Sequence, residues 1–333
     1  MNNPTSNLMT YSPFNIPGIM LSNINIPAHS LLMGLGLALA LAIASLIVLF
    51  KVRRHPDKDY KELVLRTRSW WWMIALILGA LLLGAKVTTI FFGFISFLAL
   101  KEFFSITPLR TVDRRLVFWA YLAIPFQFYF AYIQWYGMFI IFIPVYMFLF
   151  LPFRSVLIGE TTGFIRANAI IQWSLMLCVF GFSHIAFLAN IDRVNPNAGF
   201  AGLILYLLFT TQFNDVSQYV SGKCFGKRKI IPKVSPNKTW GGFIGGFIVT
   251  TLLSAFLAPF LTILTMQQGI IAGMLIAISG FVGDVVLSSV KRDLRIKDSG
   301  SLIPGHGGIL DRVDSLMYAT PIFFHYFYYV TGA

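Results

Sequence analysis

The sequence predicts an all-α integral membrane protein, a polytopic bundle of about ten transmembrane helices, on three observations. Of its 333 residues 57% are hydrophobic and only 12% are charged. The apolar residues come in runs near the ~20 residues that a helix needs to cross a hydrocarbon layer. The basic residues fall in every second connection between those runs. One soluble core could not hide so much apolar surface.

Taken in order, the apolar segments are 31–50, 70–85, 87–100, 116–134, 136–153, 168–189, 200–219, 241–264, 269–290 and 313–331. Residues 1–30 contain no Lys, Arg, Asp or Glu, so the first segment is expected to be a retained anchor rather than a cleaved signal. The second and third are short and are expected to form a tight hairpin. The loops 51–69, 101–115, 154–167, 220–240 and 291–312 hold 24 of the 26 Lys and Arg, leaving Lys86 and Arg193 on the other side. Basic loops stay in the cytoplasm, so both termini are expected outside. The net charge of +13 is then mostly topology, with attraction to anionic lipid. Nucleic acid is not expected as a partner, because the bases are spread over membrane loops. Residues 1–190 read as variable transmembrane helices, and 191–333 as a catalytic region with cytoplasmic loops 220–240 and 291–312. Cys178 and Cys224 form no pair and no metal pattern. Gly241, Gly242, Gly245 and Gly246 recur at a spacing that predicts close helix packing. The Phe- and Trp-rich segments before residue 150 read as lipid-facing surface.

With only 13 Asp and Glu, each can be weighed. Asp57, Asp59, Glu62 and Asp113 sit among loop bases and read as solvated ion pairs; Glu102 and Glu160, at span ends, read the same way. Asp192 lies in an outer loop. Asp215, Asp284, Asp293, Asp298, Asp311 and Asp314 all fall near the inner membrane face. Asp284 lies inside an apolar helix, where a charge costs ~2–3 kcal/mol on insertion scales and marks a functional site by default. Its helix places Ser288 and Lys291 on the same face. Asp215 occupies a similar position in its own span. The plain alternative for either is a buried ion pair. Asp311 and Asp314 share a face at the start of the last span, where one Asp would suffice as a cap. Carboxylates gathered at a membrane face repel unless a cation joins them, and oxygen ligands suit Mg2+. The expected metal ligands are Asp284 and Asp311.

The stretch 222–242 interleaves Lys223, Lys227, Arg228, Lys229, Lys233 and Lys238 with Gly and Pro, which rules out a continuous helix. With Lys291, Arg292, Arg295 and Lys297 these bases could clamp a polyphosphate. The spacing is not that of a Walker loop, and HExxH, CxxC and GxSxG are missing. His184 and His325 read as packed within spans. His306, in the turn Pro304-Gly305-His306-Gly307-Gly308, is a candidate for a direct role.

The residues Ser288 to Lys291-Arg292, Lys297-Asp298, Gly300, Ile303-Pro304, His306-Gly307-Gly308 and Asp311-Arg312-Val-Asp314 resemble, without gaps, the signature of phosphatidate cytidylyltransferases. The upstream Ser235-Pro-Asn-Lys238-Thr239 is similar too. The resemblance covers residues 200–330 well, and earlier residues only as hydrophobic spans. Gly241 stands where family members commonly carry Glu. The resemblance implies transfer of CMP from CTP to phosphatidate, giving CDP-diacylglycerol and pyrophosphate, with Mg2+ at Asp284 and Asp311 and K+ sharing that site. On this reading Asp314 and Asp298 assist the metal, and Lys291, Arg292, Lys297, Lys238 and Arg312 meet the phosphates. Asp215, Lys223, Lys227, Ser235, Thr239 and Ser288 complete the substrate-binding set. The expected location is the cell's inner membrane with the site facing the cytoplasm, and a homodimer is left open. A CTP-dependent polyprenol or phytol kinase is the nearest alternative. A cation-coupled transporter is a weaker one, since its acids would lie near mid-membrane in paired repeats.

Overall fold

The computed structural model of the chain describes residues 19–21, 24–56, 59–305 and 307–332. A short antiparallel hairpin, Ile19–Leu21 with Ile24–Ile26, precedes the helices. Among the described residues ten helical rods follow: α1 (Ala28–Arg54), α2 (Lys61–Leu82), α3 (Ala85–Ile106), α4 (Arg114–Tyr132), α5 (Tyr136–Val156), α6 (Phe164–Ala189), α7 (Gly199–Phe225), α8 (Trp240–Leu261), α9 (Met266–Asp293) and α10 (Leu310–Thr331). Each contains or overlaps one predicted apolar segment. By length and composition six of them, α1, α3, α5, α6, α8 and α9, can cross a membrane. The other four carry more polar residues. Lys61, Glu62, Arg66 and Arg68 open α2, Arg114 and Arg115 open α4, Asp311, Arg312 and Asp314 open α10, and α7 holds a polar run through Asn214 and Asp215.

The tight hairpin between α2 and α3 is present, turning at Gly84 with φ +104°. Two rods widen locally. In α5 the stretch Phe142–Met147 is a π-helix around Pro144, which has no N–H for the regular ladder. In α6 the stretch Leu175–Gly181 does the same. It ends where Gly181 meets α10 so closely that a Cβ would stand 2.7 Å from the Met317 carbonyl oxygen.

The last four rods pack in sequence, α7 on α8, α8 on α9 and α9 on α10. The expectation for the glycines of α8 holds. A Cβ at Gly242 would lie 2.8 Å from the Gln218 carbonyl oxygen, one at Gly245 would lie 2.5 Å from Ser221 Cβ, and one at Gly246 would overlap Gln218. A Cβ at Gly241 would overlap the Phe225 carbonyl, so this backbone admits only glycine where relatives of the resembled family often have Glu. Gly241→Glu is therefore expected to lower stability by about 1–3 kcal/mol, seen as a lower thermal midpoint in detergent.

The connections sort onto two ends. At one end Asn195 Nδ2 donates to the carbonyls of Phe260 and Thr262, each at 3.2 Å, and Arg193 donates to Thr331. At the other end the five basic loops meet. There Arg110 reaches the Thr162 carbonyl, Arg292 Nε donates to Val234 at 3.2 Å, and Arg66 Nε donates to Gly305 at 3.0 Å.

Candidate active site

The acids of the last 120 residues converge at this second end, and each of the two expected metal ligands holds a lysine. Lys238 Nζ lies 2.6 Å from Asp284 Oδ2. The same ammonium donates to Gln218 Oε1 at 3.3 Å and stands 5.4 Å above the Phe281 ring. Ser288 Oγ donates to Asp284 Oδ1 at 3.3 Å, as their shared helix face predicts. Lys291 Nζ lies 2.7 Å from Asp311 Oδ1.

Asp311 Oδ2 organises the loop that precedes it. It accepts from Ser299 N at 2.8 Å, Ser299 Oγ at 2.9 Å and Gly308 N at 3.2 Å. Gly307 adopts φ +81°, and a Cβ there would stand 2.8 Å from the same oxygen. Glycine is required at that position on both counts.

Asp215 accepts from Ser315 Oγ at 3.3 and 3.1 Å, and Asp314 accepts from Ser315 N at 2.7 Å. A Cβ at Gly283 would lie 2.5 Å from the Asp314 carbonyl oxygen, so α9 beside Asp284 packs directly on α10 at Asp314. With the Ser315 bonds to Asp215, this brings Asp215, Asp284 and Asp314 together from α7, α9 and α10. Lys291, two turns after Asp284 on α9, ties that helix to Asp311 of α10.

Among the described residues no three acidic, His or Cys side chains converge tightly enough to hold a metal alone. Carboxylate oxygens are donors of the kind Mg2+ takes, and Asp284 and Asp311 are the residues that could offer them. Mg2+ usually keeps several waters and takes only one or two carboxylates beside substrate phosphates.

The remaining sequence-predicted residues divide by position. Lys297 and Asp298 are exposed, and with Gly307 and Arg312 they line a cavity of about 820 Å3 closed on its other side by Arg66 and Trp70 of α2. Arg312 Nε is buried and has no hydrogen-bond partner. Arg292 ties the end of α9 to the 226–239 loop, as noted above. Thr239 is buried and caps α8, its hydroxyl accepting from Gly242 N at 3.1 Å. Ser235 sits in the turn before it, its carbonyl accepting from Lys238 N at 3.3 Å. Lys223 lies over the Tyr219 ring at 4.5 Å, and Lys227 is exposed. His306 lies outside the described residues.

Three supports escaped the sequence reading. Glu102 of α3 is not a solvated ion pair. Its Oε1 accepts from Ser299 Oγ, and its Oε2 accepts from Ile309 N at 2.8 Å. From α2, Ser69 Oγ donates to the Pro304 carbonyl at 2.7 Å, and Arg66 Nε reaches Gly305. These contacts join positions more than 190 residues apart, and no local pattern marks them.

The protein is thus an apolar helical bundle that gathers carboxylates, lysines and a glycine-rich loop at one end. Comparison with known proteins narrows the class. The model of the cytidylyltransferase family matches residues 64–330. The uncharacterized protein YnbB of Escherichia coli (strain K12) is 41% identical over 288 residues, covering 86% of this chain and 94% of that protein. A phosphatidate cytidylyltransferase of Haemophilus influenzae is 41% identical over 174 residues, 47% of this chain and 59% of the relative. One from Mycobacterium leprae is 40% identical over 124 residues, 37% of this chain and 39% of the relative. The chain belongs to the cytidylyltransferase family, a family of nucleotidyltransferases.

Proposed function

We propose that this chain is a phosphatidate cytidylyltransferase of phospholipid biosynthesis, transferring CMP from CTP to phosphatidate. The observation that carries the reading is the seating of Asp311 in the signature loop, next to the Asp215–Asp284–Asp314 group. A phosphatidate oxygen attacks the α-phosphorus of CTP, a new P–O bond forms, and the bond to the β-phosphate breaks to release pyrophosphate. Such transfers depend on positioning and charge neutralisation more than on covalent chemistry. Mg2+, together with K+, would supply charge neutralisation to the transfer, and Asp284 and Asp311 would hold it.

The protein's own groups do the rest. Asp311 Oδ2 is committed to the loop, so Oδ1, which among the described residues accepts only from Lys291, is the oxygen with lone pairs left for a ligand. Lys238 and Lys291, when they leave their carboxylates, can meet phosphate oxygens without crossing the site. Lys297 and Arg312 offer cations to the nucleotide from the cavity beside α2, with Asp298 as an auxiliary acid; Arg292, Lys223 and Lys227 add cations from the end of α9 and from the 220–240 loop. The phosphatidate head group stays at the interface while its chains remain in lipid. The five basic loops support a cell-membrane location, with the site toward the cytoplasm and both termini outside.

Purified protein in detergent, given CTP labelled in its α-phosphate, should convert phosphatidate to labelled CDP-diacylglycerol in a Mg2+-dependent way. Release of CDP together with a phosphorylated polyprenol would overturn the reading in favour of a lipid kinase.

A further inference from the structure

Glu102 lies in the stretch of α3 to which no chemistry was assigned, yet its carboxylate is inserted into the signature loop. The slot is built for it. A Cβ at Gly300 would lie 3.0 Å from Glu102 Cδ, and one at Gly308 would overlap its carboxylate outright. Neither glycine has a positive φ, so it is close approach, and not backbone conformation, that links them to Glu102. A side chain at Gly308 would displace this carboxylate from its slot, and one at Gly300 would crowd it. The two carboxylate oxygens accept from opposite sides of the loop, Oε1 from Ser299 Oγ and Oε2 from Ile309 N. Those residues bracket the whole turn and lead directly into α10.

Ser299 also serves Asp311, through its N–H at 2.8 Å and its hydroxyl at 2.9 Å. One hydroxyl hydrogen therefore stands between two carboxylates. We infer that Glu102 is a positioning residue for the transfer reaction, which sets Asp311 by pinning Ser299 and Ile309 on either side of the loop. The inference rests on the functional reading above and adds to it a residue outside the signature. Glutamine cannot replace Glu102 in this role. It offers one accepting oxygen where two are used, and its amide N–H would face one of the two donors. Aspartate keeps the charge but withdraws it by one methylene from both.

The test uses the full-length protein in detergent, with CMP transfer to phosphatidate and tryptic cleavage read in parallel. Arg295 and Lys297 are exposed in the loop, so the rate of cutting after them, followed by mass spectrometry, reports how firmly the loop is held. Glu102→Gln is expected to lower kcat roughly tenfold or more with KM for phosphatidate little changed, and to speed cleavage at these sites several-fold. Ser299→Ala should do likewise. The double variant should fall well short of the product of the two losses, because both act through one contact. If Glu102→Gln does not elute as a single species, Glu102→Asp takes its place with the same expectations. Wild-type kcat and wild-type cleavage in the substituted protein, or fully multiplicative losses in the double variant, would overturn the inference. Absence of transfer in the unaltered protein overturns the functional reading instead, and the cleavage rates then judge Glu102 alone.

Discussion

Asp284→Asn is expected to reduce CMP transfer by about 10²–10³-fold while leaving the protein folded. The stability half of this expectation follows from the company Asp284 keeps. Asn can still accept from Lys238, which also has Gln218 Oε1 and the Phe281 ring for support. The carboxylate is a quarter exposed, so little desolvation is at stake. What disappears is the carboxylate charge that pairs with Lys238 at the end of the bundle where the basic loops gather. Measured turnover with labelled CTP, set beside an unchanged thermal midpoint, checks both halves. Turnover within a factor of a few of the unaltered protein would remove Asp284 from the reaction.

Asp311→Asn should lose transfer to a similar or greater extent, and unlike the first substitution it should also loosen the protein. Asp311 is 6% exposed at its side chain and accepts from four donors. Asn offers one oxygen to them and presents an N–H to the rest. Lys291, itself 16% exposed, is left without its counter-charge. Removing one partner of a buried pair costs about 3–5 kcal/mol, so the midpoint should fall by several degrees and the loop should become sensitive to protease. Loss of activity with no loss of stability would show that the loop does not depend on this carboxylate.

The two substitutions differ for a reason the sequence half reveals. Asp284 was legible because a charge inside an apolar run is expensive and therefore conspicuous. Asp311 was legible as one acid more than a cap requires. The ten rods were legible because each carries an apolar run of near-spanning length. What escaped was everything set by distance along the chain. Glu102 looked like one more charged residue at a span end, and Ser69 fell in the loop 51–69 with nothing to single it out. Their roles depend on a loop more than 190 positions later, and a single sequence contains no periodicity that links them. The same limit hid the acidic trio. Asp215, Asp284 and Asp314 each have a visible oddity, but only the packing of α7, α9 and α10 shows that they are brought to one place. Gly241 is the converse case. Its difference from the resembled family had no visible cause until the Phe225 carbonyl was found in its way.

The wedge between Gly300 and Gly308 also sets a rule for how the two halves of the chain can diverge. A residue on a helix turns by about 100° with each step, so one residue inserted into or deleted from α3 ahead of Glu102 would swing the acid away from its slot. The early spans are therefore free to trade one apolar side chain for another but are held in phase with a motif two hundred positions downstream. A hybrid that joins foreign leading helices to this tail should stay in the membrane and still fail, until an acid is restored at that one angular position.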